Sequence, residues 1–441
     1  MTDNRLAAVV MAGGLGTRMK SETPKHLHDL LGRRVVDWVL DAAQATGADP
    51  VVVVASPDTK DAYDGATVAI QERPLGTGDA VAAARRTLAG FDGAVLVLDA
   101  AAPLLTAELL DELIEEHRRQ GAAVTILTFE PEAPLPYGRV LRDESGAVRA
   151  IVEEKDATSE QQQVRELNTS TYVFDAAALW DALERLDSRN AQGELYLTDA
   201  VARIVDAGGR AATHRSPDPL APLGINNRVE LALSAAALRD RVNEQHMLAG
   251  VTLLDPSTTW IDASVELEPD VVVHPFTVLR GASRVERGAQ IGPHVVAVDA
   301  RIGPGALVGP FCYLRPGTVL GAHSKAGTFV EIKNSRVGDG AKVPHLSYIG
   351  DAEIGEKTNI GAGNITANLP PHPGAAKEHT KIGRDVKTSI HTSFIAPVEI
   401  GDNSWTAAGS VITEDVPPDS LAGFPPKQVT KEGYVRRHRD D

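Results

Sequence analysis

Two different rhythms of apolar and polar residues divide this chain. Up to about residue 227, short apolar runs at 6–11, 50–55, 94–98 and 122–128 alternate with segments at 34–46, 78–88 and 107–120 whose apolar residues recur at helical spacing. Strands alternating with helices predict a mostly parallel sheet with helices on both faces, a Rossmann-like α/β domain. Residues 228–250 then read as one long polar–apolar helix, a connector between domains. After Val251 the rhythm changes to an imperfect six-residue period. An aliphatic residue followed by Gly recurs at Ile291-Gly292, Ile302-Gly303, Val308-Gly309, Leu320-Gly321, Val337-Gly338, Ile354-Gly355, Ile360-Gly361, Ile382-Gly383 and Ile400-Gly401. Several intervals are multiples of six (302 to 308, 308 to 320, 354 to 360, 382 to 400), and the others are offset as loops or corner irregularities would offset them. One inward aliphatic residue per short strand, with Gly at the turn, predicts a parallel β-helix whose stacked coils share one interior column. A glycine-rich β-sandwich would not repeat every six residues for so long. The expected organisation is therefore a domain at 1–227, a linker at 228–250 and hexapeptide repeats with a tail at 251–441.

Composition narrows the class only slightly. A chain of 441 residues exceeds one ordinary core, in keeping with two or three domains. No apolar run reaches the length of a membrane span, and Met1-Thr2-Asp3-Asn4-Arg5 lacks a signal peptide's order, so a cytoplasmic protein without a membrane partner is expected. The single cysteine, Cys312, excludes an internal disulfide framework and suits a reducing compartment. A net charge of −16 argues against nucleic acid as a partner while leaving room for local basic pockets.

The first apolar run leads into Ala12-Gly13-Gly14-Leu15-Gly16-Thr17-Arg18-Met19, with Pro24-Lys25 behind it. A glycine-rich turn after a strand lets backbone N–H groups approach phosphate oxygens, and Arg18 and Lys25 add positive charge. Further on come Gln71-Glu72-Arg73-Pro74-Leu75-Gly76-Thr77-Gly78, Tyr137-Gly138-Arg139, Ile151-Val152-Glu153-Glu154-Lys155, Asn168-Thr169 and Gly224-Ile225-Asn226-Asn227. The C-terminal half carries Leu314-Arg315-Pro316-Gly317, Glu331-Ile332-Lys333, Pro344-His345-Leu346-Ser347-Tyr348 and Asn359-Ile360-Gly361-Ala362-Gly363. In this order, over nearly the whole chain, these segments resemble the bacterial bifunctional N-acetylglucosamine-1-phosphate uridyltransferase/glucosamine-1-phosphate N-acetyltransferase family.

The resemblance implies a nucleotidyltransferase domain followed by a left-handed parallel β-helix, assembled as a homotrimer. It also implies roles. Gly14, Arg18 and Lys25 would bind the triphosphate, Gln71, Gly76 and Thr77 the uracil, and Gly138, Glu153 and Asn168 the sugar. Asn226 would be one of two Mg²⁺ ligands. The family's other ligand, an aspartate, falls on Ala101 within Asp99-Ala100-Ala101-Ala102-Pro103. Asp99 stands two positions early, about 7 Å along a strand, which predicts a carboxylate out of metal reach and a uridyltransferase half without its metal chemistry. In the β-helix, His345 would be the general base, an imidazole taking the amine's proton as it attacks a thioester. Arg315, Lys333, Tyr348 and Asn359 would hold an anionic acceptor, and Ala362, Asn368, Ala408 and Lys427 would line the acetyl-CoA cleft. Three readings stay open: an acetyl-CoA-dependent N-acetyltransferase whose amine is glucosamine-1-phosphate or another small anionic amine, an intact bifunctional enzyme, and a non-catalytic UDP-sugar-binding scaffold.

Overall fold

A computed structural model describes residues 5–14, 16–132, 135–372, 374–423 and 428–438. The chain forms two compact units, Met1–Leu238 and Arg239–Asp441. The division falls inside the long helix Arg228–Leu248, so that helix belongs to both units rather than standing between them.

The first unit is built on one sheet. From one edge to the other its main strands are Ala211–Arg215, Val124–Phe129, Leu167–Asp175, Ala94–Asp99, Leu6–Ala12, Val51–Ala55 and Thr67–Ile70. Neighbours run parallel except Leu167–Asp175, which is antiparallel to both strands beside it. The run Leu6–Ala12 is apolar throughout because helices cover both faces: Ala7, Val9 and Met11 enter one core, and Leu6, Ala8, Val10 and Ala12 the other. The helix Ala107–Gln120 shows how one such layer is fixed. Thr106 caps its start by accepting the Leu109 N–H at 3.3 Å, Gly121 at φ 54° ends it, and Leu109, Leu110, Leu113 and Ile114 face the sheet. Its buried His117 meets the Thr125 hydroxyl at 3.0 Å, and burial pulls that imidazole down to about 4.

The second unit is a left-handed β-helix of three parallel sheets with six, nine and eight strands among the described residues. All nine aliphatic residues of the Gly doublets are buried. They stack in register: Ile302, Leu320, Val337, Ile354, Ile382 and Ile400 pair in turn down one side. Each buried side chain removes enough apolar area from water to contribute about 1.5–3 kcal/mol. The repeat is imperfect for a countable reason. Val273 to Ile291 is eighteen residues, three hexapeptides, whereas Ile291 to Val308 is seventeen. One coil, between Ile354 and Ile382, carries twenty-eight. The glycines answer to close approach between coils: a Cβ on Gly303 would lie 2.7 Å from the Leu320 carbonyl oxygen.

Candidate functional site

The strand Leu6–Ala12 ends in Gly13 and Gly14, and Gly16 turns the chain at φ 60°. Beyond that turn lies a cavity of about 380 Å³, whose wall includes Gly14, Lys25, Gln71, Gly76, Thr77 and Asp99. Glycine at 76 is required by proximity, since a Cβ there would meet the Leu195 backbone. Gly138, Glu153 and Asn168 form a second group: a Cβ on Gly138 would lie 3.6 Å from both the Glu153 carboxylate and the Asn168 Cβ. The Asn168 amide donates to the Tyr172 hydroxyl at 2.9 Å, and Glu153 accepts from the Thr198 hydroxyl at 3.1 Å. Burial pushes the Glu153 carboxyl above the usual carboxylate range.

Asp99 is not carried out of the site by its two-residue offset. It is the last residue of the strand Ala94–Asp99, and its side chain turns back onto the cavity wall. Oδ1 accepts the Ala101 N–H at 3.0 Å, and Oδ2 lies 3.3 Å from the Lys25 ammonium. A Cβ on Gly224 would lie 3.4 Å from the same Oδ2, which places Asp99 beside the segment that carries Asn226. The Asn226 carbonyl oxygen accepts from Arg18 at 2.9 Å. Asp99 and Asn226 thus lie beside Gly224, held by Lys25 and Arg18 respectively, while the Ala101 side chain is fully buried. His26, on the same wall, stacks on Tyr63 and is driven down to about 4, first by burial and then by the Lys25 charge.

On the β-helix, stacking brings together residues expected from the sequence to hold an acceptor. Arg315 forms an ion pair with Glu331 at 2.7 Å and lies over the Tyr313 ring. On the next coil, Lys333 has Lys377 beside it, and that second amine lowers the Lys333 ammonium below the usual lysine range. Asp351 is gripped by the Asn334 amide at 2.6 Å and by the Asn368 amide. The Tyr348 hydroxyl lies over Gly350 next to Asn368, where a Cβ on Gly350 would strike both. Tyr348 and Glu331 also line an open cleft of about 470 Å³ with Phe311, Phe329 and Leu346.

His345 ends the strand Lys342–His345 with its ring exposed, and its carbonyl accepts the Gly363 N–H at 3.3 Å. From there one edge climbs coil by coil. His391 N–H donates to Ala362 O at 2.8 Å, and Gly409 N–H to Ile390 O at 2.9 Å, which puts Ala362 and Ala408 along the edge that His345 begins. Asn359 bridges Lys342, at the start of the strand that His345 ends, and Lys387, and it is exposed to solvent. Asn368 is not on that edge. It is buried against Asp351. Lys427 lies outside the described residues.

Residues 8–198 match the model of the MobA-like NTP transferase domain. Over its full length the chain is similar to proteins named bifunctional protein GlmU. Its identity is 46% to the one from Streptomyces coelicolor, covering 98% of this chain and 94% of that one. With the relative from Corynebacterium aurimucosum it is 43% over the same shares, and with that from Trichlorobacter lovleyi 44% over 99% of both chains. The chain belongs to the GlmU family. It is accordingly a transferase built as a nucleotidyltransferase domain followed by a left-handed β-helix.

Several residues of the two sites carry no signal in sequence. Lys377 follows the extra residues of the long coil, so no repeat spacing points to it. Asp79 accepts from the Gln71 amide at 2.8 Å. Asp351 and Asn334 sit at turn positions with φ 50° and 43°, where such residues are common for conformational reasons alone. Among the described residues no group of three or more His, Cys, Asp and Glu is placed to hold a metal ion, and none of the helices is long and apolar enough to cross a membrane.

Proposed function

We propose that the β-helix transfers an acetyl group from acetyl-CoA to the amine of a small anionic acceptor, with glucosamine-1-phosphate the first candidate. The observation that carries this is the convergence of Arg315, Lys333 and Lys377 beside Tyr348, next to the edge headed by His345. Three cations grouped together suit a phosphate or carboxylate, Arg through its planar fork and Lys as a point charge. The amine nitrogen attacks the thioester carbonyl, its proton passes to the His345 imidazole, the C–S bond breaks, and CoA leaves as thiolate and takes that proton back to become the free thiol. The edge from His345 through Ala362 to Ala408 suits a long, extended donor.

The N-terminal cavity supports uridylyl transfer from UTP to a sugar 1-phosphate, and the likeness to bifunctional GlmU proteins favours two activities over one. Lys25 and Arg18 would draw the triphosphate's charge, Gln71 and Thr77 would take the base, and Glu153 and Asn168 the sugar hydroxyls. Asp99 and the Asn226 carbonyl offer two hard oxygens beside Gly224, a donor set suited to Mg²⁺ completed by phosphate oxygens and water. When bound, that ion would neutralise charge on the triphosphate. Ala101 favours the second reading, in which this half has lost turnover and only the acetyltransferase works.

The two readings separate in one pair of assays. Pyrophosphate release from UTP, N-acetylglucosamine-1-phosphate and Mg²⁺ is expected, and is expected to fall in Asp99→Asn. No release from the parent chain, with release gained in Ala101→Asp, would establish the second reading instead. Free-thiol release from acetyl-CoA with a panel of anionic amines tests the β-helix in either case. No thiol release with any amine, together with no pyrophosphate release, would leave the non-catalytic UDP-sugar-binding scaffold as the reading.

A further inference from the structure

The Gln71 side chain is almost wholly buried in the wall of the N-terminal cavity, and its Nε2 makes two hydrogen bonds, to the Asp79 carboxylate at 2.8 Å and to the Gly76 carbonyl at 3.1 Å. A primary amide has two N–H bonds, and both are used there. A carboxylate and a backbone carbonyl can only accept, so the end of the amide that faces them must be the NH₂. Reversing it would set an oxygen against two oxygens. The carbonyl Oε1 is therefore turned the other way, across Gly13, where a Cβ would collide with it. Among the described residues Oε1 accepts no hydrogen bond. The frame that sets Asp79 is itself held. Its helix, Thr77–Ala83, is clamped by the Leu197 N–H on the Thr77 hydroxyl at 2.9 Å and by the Gly78 N–H on the Leu195 carbonyl at 2.8 Å.

We infer that Asp79 is a specificity-determining residue of this cavity: by fixing the Gln71 amide it presents a lone hydrogen-bond acceptor to the nucleobase, selecting a pyrimidine with a hydrogen on N3. This rests on the reading of the cavity as a uridine nucleotide site. Uracil and thymine offer an N3–H to that acceptor. Cytosine offers a ring nitrogen lone pair, which would face the Gln71 oxygen with neither able to donate, and an unpaired buried group discriminates strongly. Asp79 touches no base atom in this scheme. It acts as a positioning residue, so its effect is on the ratio of nucleotides bound rather than on binding as such.

The test is equilibrium binding of UTP, CTP and N3-methyl-UTP to the full chain by titration calorimetry, with no sugar phosphate present, so that no turnover is needed. The parent protein is expected to prefer UTP to both others by about tenfold or more. Asp79→Leu, which removes the shorter of the two bonds and leaves only the Gly76 carbonyl to hold the amide, is expected to narrow the UTP:CTP ratio by about tenfold, while Asp79→Asn, whose carbonyl can still accept from Gln71, retains it. An unchanged ratio in Asp79→Leu, with UTP still preferred, would overturn the role of Asp79 and leave the uridine site standing. Equal binding of UTP and N3-methyl-UTP by the parent protein would overturn it without any variant. Binding of none of the three would remove the uridine reading and this inference together.

Discussion

The two units place their functional residues by opposite means. In the N-terminal unit the site is gathered from distant stretches of chain: Gly14 after the first strand, Gln71 after the strand Thr67–Ile70, Asp99 at the end of another, and Asn226 more than a hundred residues later. Each is fixed by its own contacts, such as Arg18 on Asn226 or Lys25 on Asp99. In the β-helix the site residues are set by register. Glu331 pairs with Tyr348, and Lys333 with Gly350, because every strand there sits on the one a coil earlier. A substitution in the first unit can therefore be answered by a neighbour reaching in from another direction, as Asp99 reaches the wall beside buried Ala101. In the second, register places the strand residues, and Lys377 reaches the cluster from the extra residues of the long coil between Ile354 and Ile382.

That contrast can be tested from both ends. The largest effect is expected at His345, which no second group can replace: His345→Ala should lower kcat by about 10²–10⁴-fold with acetyl-CoA affinity nearly unchanged. Steady-state kinetics with a direct binding measurement check it, and a retained kcat would remove the general-base role.

Acid should act on the N-terminal unit next. Burial lowers the His26 and His117 imidazoles to about 4, from the 6.5 of a histidine in the unfolded chain. Between those limits the unfolded chain binds more protons than the folded one, so stability is complete above 6.5 and falls as pH drops toward 4. Each shift corresponds to about 3 kcal/mol at the acid end. Chemical denaturation of the whole protein at several pH values should show a transition of the first unit moving to lower denaturant over that window. Replacing His117 with Gln should reduce the movement.

A smaller effect is expected where the first unit compensates for Ala101. Asp99→Asn should slow uridylyl transfer by roughly 10–100-fold, as expected for the loss of one charged oxygen near the triphosphate. A rate equal to the parent's would mean that Asp99 has no part in it. The smallest change is expected at the acceptor cluster, where Lys377→Ala should raise KM for an anionic amine by about tenfold and leave kcat alone, because Arg315 and Lys333 remain. A fall in kcat with KM constant would contradict its assignment to binding.

The same difference decides what could be read from the sequence. The strand Leu6–Ala12 and the interior column of the β-helix were legible because burial dictates residue type at every position of the one and at every sixth position of the other. Leu167–Asp175 was not. Its start, Leu167-Asn168-Thr169-Ser170, reads as a turn, and Ser170 is at φ 60° where the register with Val124–Phe129 shifts. The polarity there belongs to the site: Asn168 lies beside Glu153, and the Thr169 hydroxyl donates to the Leu127 carbonyl at 2.8 Å. His345, Arg315 and Lys333 were found only because motifs of a known family surround them, since their types alone suit an ordinary charged surface. The orientation of Asp99 could not be foreseen, because spacing along a strand fixes where a Cα sits and not which way the side chain folds back.

The coils that precede Arg315 contribute pairing and interior aliphatics, and no residue assigned to either site. They act as a stack of interchangeable washers beneath a fitting. Strand spacing sets the thickness of each at about 4.8 Å, so excising one whole coil, from Val273 up to but not including its partner Ile291, would join two positions already in register. The column would shorten by one step with the arrangement around His345 intact. Removing a few residues from within such a coil would instead turn its aliphatic side chains out of the column. Length in this half of the molecule is thus free to vary by whole coils without disturbing the site.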